Sequence, residues 1–106
     1  MVRQRDRLRE WEARILALRI AASFPNNEAT TSQIKESVPS FVRLTPLDLE
    51  PSLTRLNEYK WQQIIGNVIS HRKSPTSIFN KGYAIRLDDG VRVTKDGLAF
   101  LKMKGY

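Results

Sequence analysis

The amide side chains of Gln63 and Asn67 have the residue types and the spacing needed to recognise a base edge. They are four residues apart, so in a helix they lie on one face, one turn from each other. A carboxamide offers a donor and an acceptor side by side, which match N7 and N6 of adenine in the major groove. Gly66 between them would let a ligand approach the helix backbone closely. The segment therefore predicts a polar recognition face.

Positive charge is concentrated around these amides. The 106 residues carry a net charge of +7; residues 55–106 contribute +6, residues 1–9 contribute +3 and residues 10–54 are slightly acidic. This surplus favours a polyanionic partner, and we expect double-stranded DNA. Lys60 and Lys73, at the two ends of the predicted helix, can reach phosphates. The candidate DNA contacts are Arg55, Tyr59, Lys60, Gln63, Asn67, Ser70, Arg72, Lys73, Lys81, Arg86 and Arg92.

The sequence lacks the residue groups that are typical of enzymes and metalloproteins. It has no Cys and one His, which excludes thiolate zinc sites and His clusters. His71 falls near the end of a predicted helix, where the helix dipole favours a cation. Asp88 and Asp89 fit a turn, and Asp96 fits the first turn of a helix. We therefore expect no catalysis, no metal, no cofactor and no small-molecule substrate.

The first predicted helix runs from about residue 6 to Phe24 and stops before Pro25. One apolar stripe consists of Leu8, Trp11, Ile15, Leu18 and Ala22, and a second, nearly opposite, of Leu16, Ile20 and Phe24. Two stripes have two interpretations. Either the helix is buried on both sides within the core, or the second stripe meets a partner chain in a homodimer.

The middle of the chain predicts one short and one long helix. Thr30 with Gln33 forms a capping box for a helix at about 31–37, ended by Pro39. Thr45-Pro46 is another start signal, but we expect mostly loop between Val38 and Leu56.

Asn57 then caps a helix at about 58–73. Its buried arc contains Trp61, Ile64, Ile65, Val68 and Ile69.

The last third predicts a hairpin at about 83–94 and a closing helix. The apolar residues of the hairpin are Tyr83, Ile85, Leu87, Val91 and Val93, so the odd positions should be buried. This parity requires a three-residue loop at 88–90, with Gly90 in the left-handed conformation and Arg86 beside Arg92 on the exposed face. Thr94 caps the closing helix, whose inward residues are Leu98, Phe100 and Leu101.

The order of these elements resembles that of winged helix-turn-helix domains. Residues 81–101, from Lys-Gly-Tyr through Val-Thr-Lys-Asp-Gly to Leu101, are similar to the wing and closing helix of many bacterial members. Residues 44–72 also resemble winged-helix modules of restriction systems, such as the N-terminal domain of Mrr-type methylated-DNA restriction proteins. The resemblance implies that the helix at 58–73 enters the major groove and that the hairpin, the wing, contacts the DNA backbone or the minor groove.

We therefore expect an α+β, mostly α, winged helix at 10–106, with a three-helix core, a two-stranded C-terminal wing and a closing helix, after a basic arm at 1–9. Its function would be DNA binding, as a transcriptional regulator or as the recognition module of a restriction-type DNA-processing system. The alternative is a protein-interaction or dimerisation module that does not bind DNA.

The N-terminal arm has two further interpretations. Arg3 to Arg9 could reach into the minor groove, or could bind an anionic membrane surface together with the following helix. Glu10 and Glu12 oppose the membrane interpretation. No transmembrane segment or secretory signal is visible, so we expect a cytoplasmic protein without a membrane partner.

Overall fold

Four α-helices, a short 3-10 helix at Pro25–Asn27 and one antiparallel three-stranded sheet lie within residues 7–71 and 74–106, the part of the chain that the computed structural model describes. The elements are α1 at Glu10–Ala22, β1 at Glu28–Thr30, α2 at Thr31–Phe41, α3 at Lys60–Ser70, β2 at Ala84–Leu87, β3 at Gly90–Val93 and α4 at Lys95–Met103. The strand order is β1-β3-β2. The α+β class is thus confirmed, while β1 is a strand that the sequence did not predict. Residues 1–6 of the arm, together with Arg72 and Lys73, lie outside the described residues.

α1 is the central helix, and it packs against α2, α3, α4 and β3. Leu16 and Ile20 on one side and Leu18 on the other are all buried. Burial on two sides is therefore confirmed. Of the second stripe, Leu16 and Ile20 are covered by the chain's own elements and Phe24 is half-buried.

The first stripe of α1 is less buried than its pattern predicts. Trp11 leaves 59% of its surface exposed. The helix begins at Glu10 and not near residue 6, because the Arg9 N–H donates to Glu12 Oε1 at 3.0 Å and closes the first turn. Leu8 precedes the helix and is nevertheless fully buried.

α2 begins as predicted and ends later. Thr30 accepts a hydrogen bond from the Gln33 N–H at 3.0 Å, and the Gln33 side chain accepts one from the Thr30 N–H at 2.8 Å. The predicted end before Pro39 is wrong, because α2 continues to Phe41 with Pro39 inside it. Ile34 and Val38 are completely buried, so core packing on their side supports the last turn despite the missing N–H.

The predicted hairpin register is wrong by one residue. Ala84 pairs with Val93 and Leu87 pairs with Gly90, so the turn contains only Asp88 and Asp89. A one-residue slip moves every side chain of a strand to the other face. Ala84 is therefore buried, and Ile85, predicted to be inside, is half-exposed.

β1 explains why the apolar pattern misleads. It pairs with the other edge of β3, placing Thr30 opposite Gly90 and Ala29 opposite Val91. Gly90 therefore belongs to a strand, and its φ is not positive, contrary to the predicted left-handed position. The Thr31 N–H also donates to the Asp89 carbonyl at 2.9 Å, which ties the turn to α2.

The two hairpin arginines do not share a face. Arg86 pairs with Val91 and Arg92 pairs with Ile85. These are adjacent cross-strand pairs, so the two arginine side chains project from opposite faces of the sheet. This corrects the predicted exposed Arg pair. The new register follows from the two-residue turn.

α4 is capped as predicted, with the Gly97 N–H donating to Thr94 Oγ1 at 3.0 Å. Leu101 is buried and Phe100 is half-buried, but Leu98 is 37% exposed, so the prediction that it packs inward is wrong. Phe100 stacks on Tyr83, with ring centroids 4.4 Å apart. Within residues 7–71 and 74–106, no helix has the length and apolar character to cross a membrane.

Candidate nucleic-acid interface

α3 carries the predicted recognition face. It extends from Lys60 to Ser70 and is capped by Tyr59, whose N–H donates to Gln62 Oε1 at 2.8 Å. The predicted cap at Asn57 is wrong, because that residue lies in the preceding loop with a φ of 63°. The predicted buried arc is confirmed at four positions, Trp61, Ile65, Val68 and Ile69, while Ile64 is partly exposed.

The two amides of the predicted recognition face, Gln63 and Asn67, both contact the loop at 42–59, which crosses the helix. Ser52 Oγ donates to Gln63 Oε1 at 2.6 Å, and Arg55 Nη2 donates to Asn67 Oδ1 at 3.2 Å. The amide oxygens are therefore engaged within the chain. Bidentate pairing with adenine uses both groups of an amide, so the base would have to share each oxygen with the loop through its second lone pair or displace the loop donor.

Gly66 accommodates the same loop. A Cβ atom at this position would lie 2.7 Å from Arg55 Nη1, so the guanidinium occupies the space that the missing side chain leaves. Gly66 is itself buried. The prediction that it opens the helix backbone to a ligand is therefore wrong, because Arg55 covers it.

Carboxylates from the loop pair with the cations near the start of α3. Lys60 Nζ lies 2.8 Å from Glu50 Oε1, and Glu58 lies between Lys35 Nζ at 2.8 Å and Arg55 Nη1 at 3.5 Å. α3 itself has no acidic residue, but these loop carboxylates offset its positive charge. Phosphate contacts by Lys60 or Arg55 must therefore compete with pairs that are already formed.

Glu58 makes this arrangement sensitive to pH. The hydrogen bond from Lys35 holds the pKa of Glu58 below its ordinary value of 4.5, with support from the charges of Lys35 and Arg55 and against the effect of burial. The stabilisation is complete above the ordinary value and is lost as the pH falls through the lowered pKa of the folded state.

We predict that Glu58→Gln flattens the acid limb of the stability curve. Urea unfolding from about pH 7 to about pH 3 should give a smaller loss of unfolding free energy below pH 4.5 than in the wild type. Glu36→Gln, at an exposed position of α2, is the matched control and should keep the wild-type slope. Identical slopes for wild type and Glu58→Gln would contradict the prediction.

The remaining candidate contacts are dispersed. Tyr59, Ser70 and Lys81 are exposed. Arg86 donates to the carbonyls of Leu87 at 2.6 Å and Gly90 at 2.9 Å. On the other face of the sheet Arg92 forms an ion pair with Glu28 of β1 at 2.8 Å.

The tip of the hairpin carries the acidic Asp88 and Asp89, both exposed. A phosphate backbone would therefore meet the base of the hairpin more favourably than its tip. Among the predicted DNA contacts, Arg55 lies next to the polar side of α3. Arg86 and Arg92 lie on opposite faces of the sheet.

Sequence reasoning missed the loop residues Ser52, Glu50 and Glu58 and the buried Asp48. Asp48 is 1% exposed, and its carboxylate accepts the Leu8 N–H at 2.6 Å and the Thr45 N–H at 3.0 Å. A signal for Asp48 was present, because an acid three residues after Thr45 fits a capping box. Nothing local indicates that Ser52 lies against Gln63.

In the part of the chain that the structure describes, no group of three or more His, Cys, Asp or Glu side chains could hold a metal ion. The candidate interface is polar and cationic, and some of its cations are already paired with carboxylates of the same chain. No family model, curated protein or solved structure matches the chain.

Proposed function

We propose that the chain is a winged-helix domain that binds duplex DNA with α3 in the major groove, as a transcriptional regulator or as the recognition module of a restriction-type DNA-processing system. The observation that best supports this proposal is that the two sides of α3 differ in character. One side is buried in the core, and the other brings together Gln63, Asn67 and Arg55 next to the exposed Ser70. Three helices followed by a hairpin and a closing helix agree with the winged-helix resemblance.

In this proposal Arg55 is the principal cation of the interface. Its side chain is 37% exposed, and it lies across Gly66 while bonded to Asn67. A phosphate can take the place of Glu58 as its partner, and Arg binds phosphate through a planar set of donors. Lys60 exchanges Glu50 for phosphate in the same way. Near the base of the hairpin the exposed Lys81 makes the DNA backbone contact, whereas the Arg86 guanidinium lies at the carbonyls of Leu87 and Gly90 beside the acidic turn.

Salt dependence is the direct test of this function. If four to six phosphates are neutralised, the log–log slope of affinity against salt should be about −4 to −5 with random-sequence duplex. Fluorescence anisotropy over a range of salt concentrations measures it. No duplex binding at low salt would refute DNA binding, and a duplex affinity that does not change with salt would refute the proposed phosphate contacts.

Base reading by the two amides predicts a selective effect. After a preferred duplex has been selected from a random library, Gln63→Ala and Asn67→Ala should each reduce discrimination at one base pair by about 1–3 kcal/mol. Non-specific affinity should fall much less. Asn80→Ala removes an exposed amide outside α3 and serves as the control. An equal loss on all sequences would identify the amides as positioning contacts.

A second candidate function, protein interaction without DNA binding, has support from the loop at 42–59. Leu53 and Leu56 are 88% and 91% exposed, and large apolar side chains grouped in one exposed segment are typical of protein contacts. If this loop mediates self-association, sizing should give a mass above that of the monomer, and Leu53→Ser with Leu56→Ser should abolish the difference.

A further inference from the structure

An open cavity of about 280 Å³ lies between α1, α4 and the segment at 76–83. Tyr83 and the half-buried Phe100 line it as a stacked pair, and Ile15 contributes aliphatic surface from α1. Trp11 borders the same cavity while more than half of its surface remains exposed. A large exposed indole beside an aromatic cavity is a common feature of binding surfaces.

Three cations border this cavity, namely Arg14, Lys81 and Lys104. Arg14 is 3.4 Å from Glu10 on the same helix. Among the described residues, neither Lys81 nor Lys104 forms an ion pair with a carboxylate. Lys104 Nζ lies 5.7 Å from the ring centroid of Phe100, so positive charge is next to the aromatic wall.

Three other hollows of the described surface differ from this cavity in the charge of their lining residues. A hollow of about 510 Å³ beside β1 is bordered by Glu28, Asp88 and Asp89, and it has no cation in its lining. Hollows of about 360 Å³ beside α3 and about 140 Å³ beside α1 have linings of mixed charge, with Asp48 beside Arg7 and Lys60 in the first and Glu12 beside Arg19 in the second. The cavity at Trp11 differs from all three, because cations border it and no acidic residue does.

We propose that this cavity binds a small organic anion with an aromatic body. Its rings pack against Trp11 and the Tyr83–Phe100 pair, and its anionic group contacts Lys81 and Lys104. The volume is near the lower end of the range of about 300–1,000 Å³ for ligand cavities, which favours a ligand of one or two rings. The sequence predicts no small-molecule substrate because the lining residues come from distant parts of the chain. This site does not use α3, although it shares Lys81 with the proposed DNA contacts.

Calorimetric titration with 2-naphthoate and its neutral isostere 2-naphthamide tests the proposal on the full chain. Saturable binding of the anion is expected, with an affinity at least about tenfold higher than that of the amide, because only the anion forms charge-assisted bonds with the lysines. Equal affinities, or no saturable binding of 2-naphthoate, would overturn the proposal.

Paired variants locate the site. Lys81→Gln with Lys104→Gln should weaken 2-naphthoate binding about tenfold, and Trp11→Ala should weaken it through the lost ring contact. Lys95→Gln with Lys102→Gln removes the same charge from exposed positions outside the cavity and should leave the affinity within about twofold. Thermal unfolding checks that each variant folds. If the control pair weakens binding as much as the cavity pair, net charge explains the binding and the proposed site is wrong.

Discussion

Asp48→Ala should lower the unfolding free energy by about 3 kcal/mol, because one buried and one partly buried backbone N–H group lose their acceptor and each unsatisfied buried group costs about 1–3 kcal/mol. These groups belong to Leu8 and Thr45, at 2.6 Å and 3.0 Å from the carboxylate. The Asp48 carbonyl also accepts the Trp61 N–H at 3.3 Å. Asp48 therefore joins the segment before α1, the loop at 42–59 and the start of α3.

Urea unfolding measures this effect, and two controls separate its causes. Asp48→Asn keeps the shape and one acceptor oxygen, so its loss should lie between those of wild type and Asp48→Ala. Asp89→Ala removes an exposed carboxylate, and exposed substitutions of this kind stay within about 0.5 kcal/mol of wild type. A loss below about 1 kcal/mol for Asp48→Ala would mean that water replaces the carboxylate at no cost.

The predictions that were confirmed depend on local chemistry. The caps at Thr30 and Thr94 each involve a hydroxyl and an N–H three residues later, and the apolar arc of α3 follows from helical spacing. Such features need no knowledge of the rest of the fold. They were sufficient to identify α2, α3 and α4 and the side of α3 that faces the core.

The predictions that failed depend on contacts between distant segments. The hairpin has the two-residue turn because Gly90 belongs to β3, where it pairs with β1, a strand that is distant in the sequence. The polar face of α3 is bonded by Ser52 and Arg55, and its composition alone cannot distinguish a face bound by a loop from a solvated one. The apolar pattern identified the buried side of α3 but not what covers its other side, and on β2 it gave the wrong buried side.

Contacts between distant segments also change how much of the net charge is available to bind DNA. The sequence assigned +6 to residues 55–106, yet Arg55, Lys60 and Arg92 each form an ion pair with a glutamate. The Lys60–Glu50 pair is largely exposed and such pairs are worth little free energy, so a phosphate can displace that carboxylate, whereas Glu58 is less exposed and is also held by Lys35. The interface therefore gains less from each cation than a count of charges suggests, and its salt slope measures how many pairs are exchanged.

Gly90→Ala should destabilise the domain by about 3 kcal/mol, at the upper end of the usual cost of overpacking. Its Cβ would meet the carbonyl of Ala29, and it would lie 2.8 Å from the Thr30 Cα. Both atoms are backbone of β1, so relief requires the strand to move away from the centre of the sheet. The lower chain entropy of alanine recovers only about 0.5–1 kcal/mol.

Two companion variants identify the cause. Gly66→Ala also creates a close contact, but with the flexible end of Arg55, and alanine gains up to about 1 kcal/mol in a helix interior. Its stability should therefore remain within about 1 kcal/mol of wild type. Gly90→Asn should be at least as harmful as Gly90→Ala, because a larger side chain meets the same strand. If Gly90→Asn instead restores stability, Gly90 is needed for a left-handed turn, since asparagine tolerates that conformation, and the close approach of β1 is not the reason for glycine at this position.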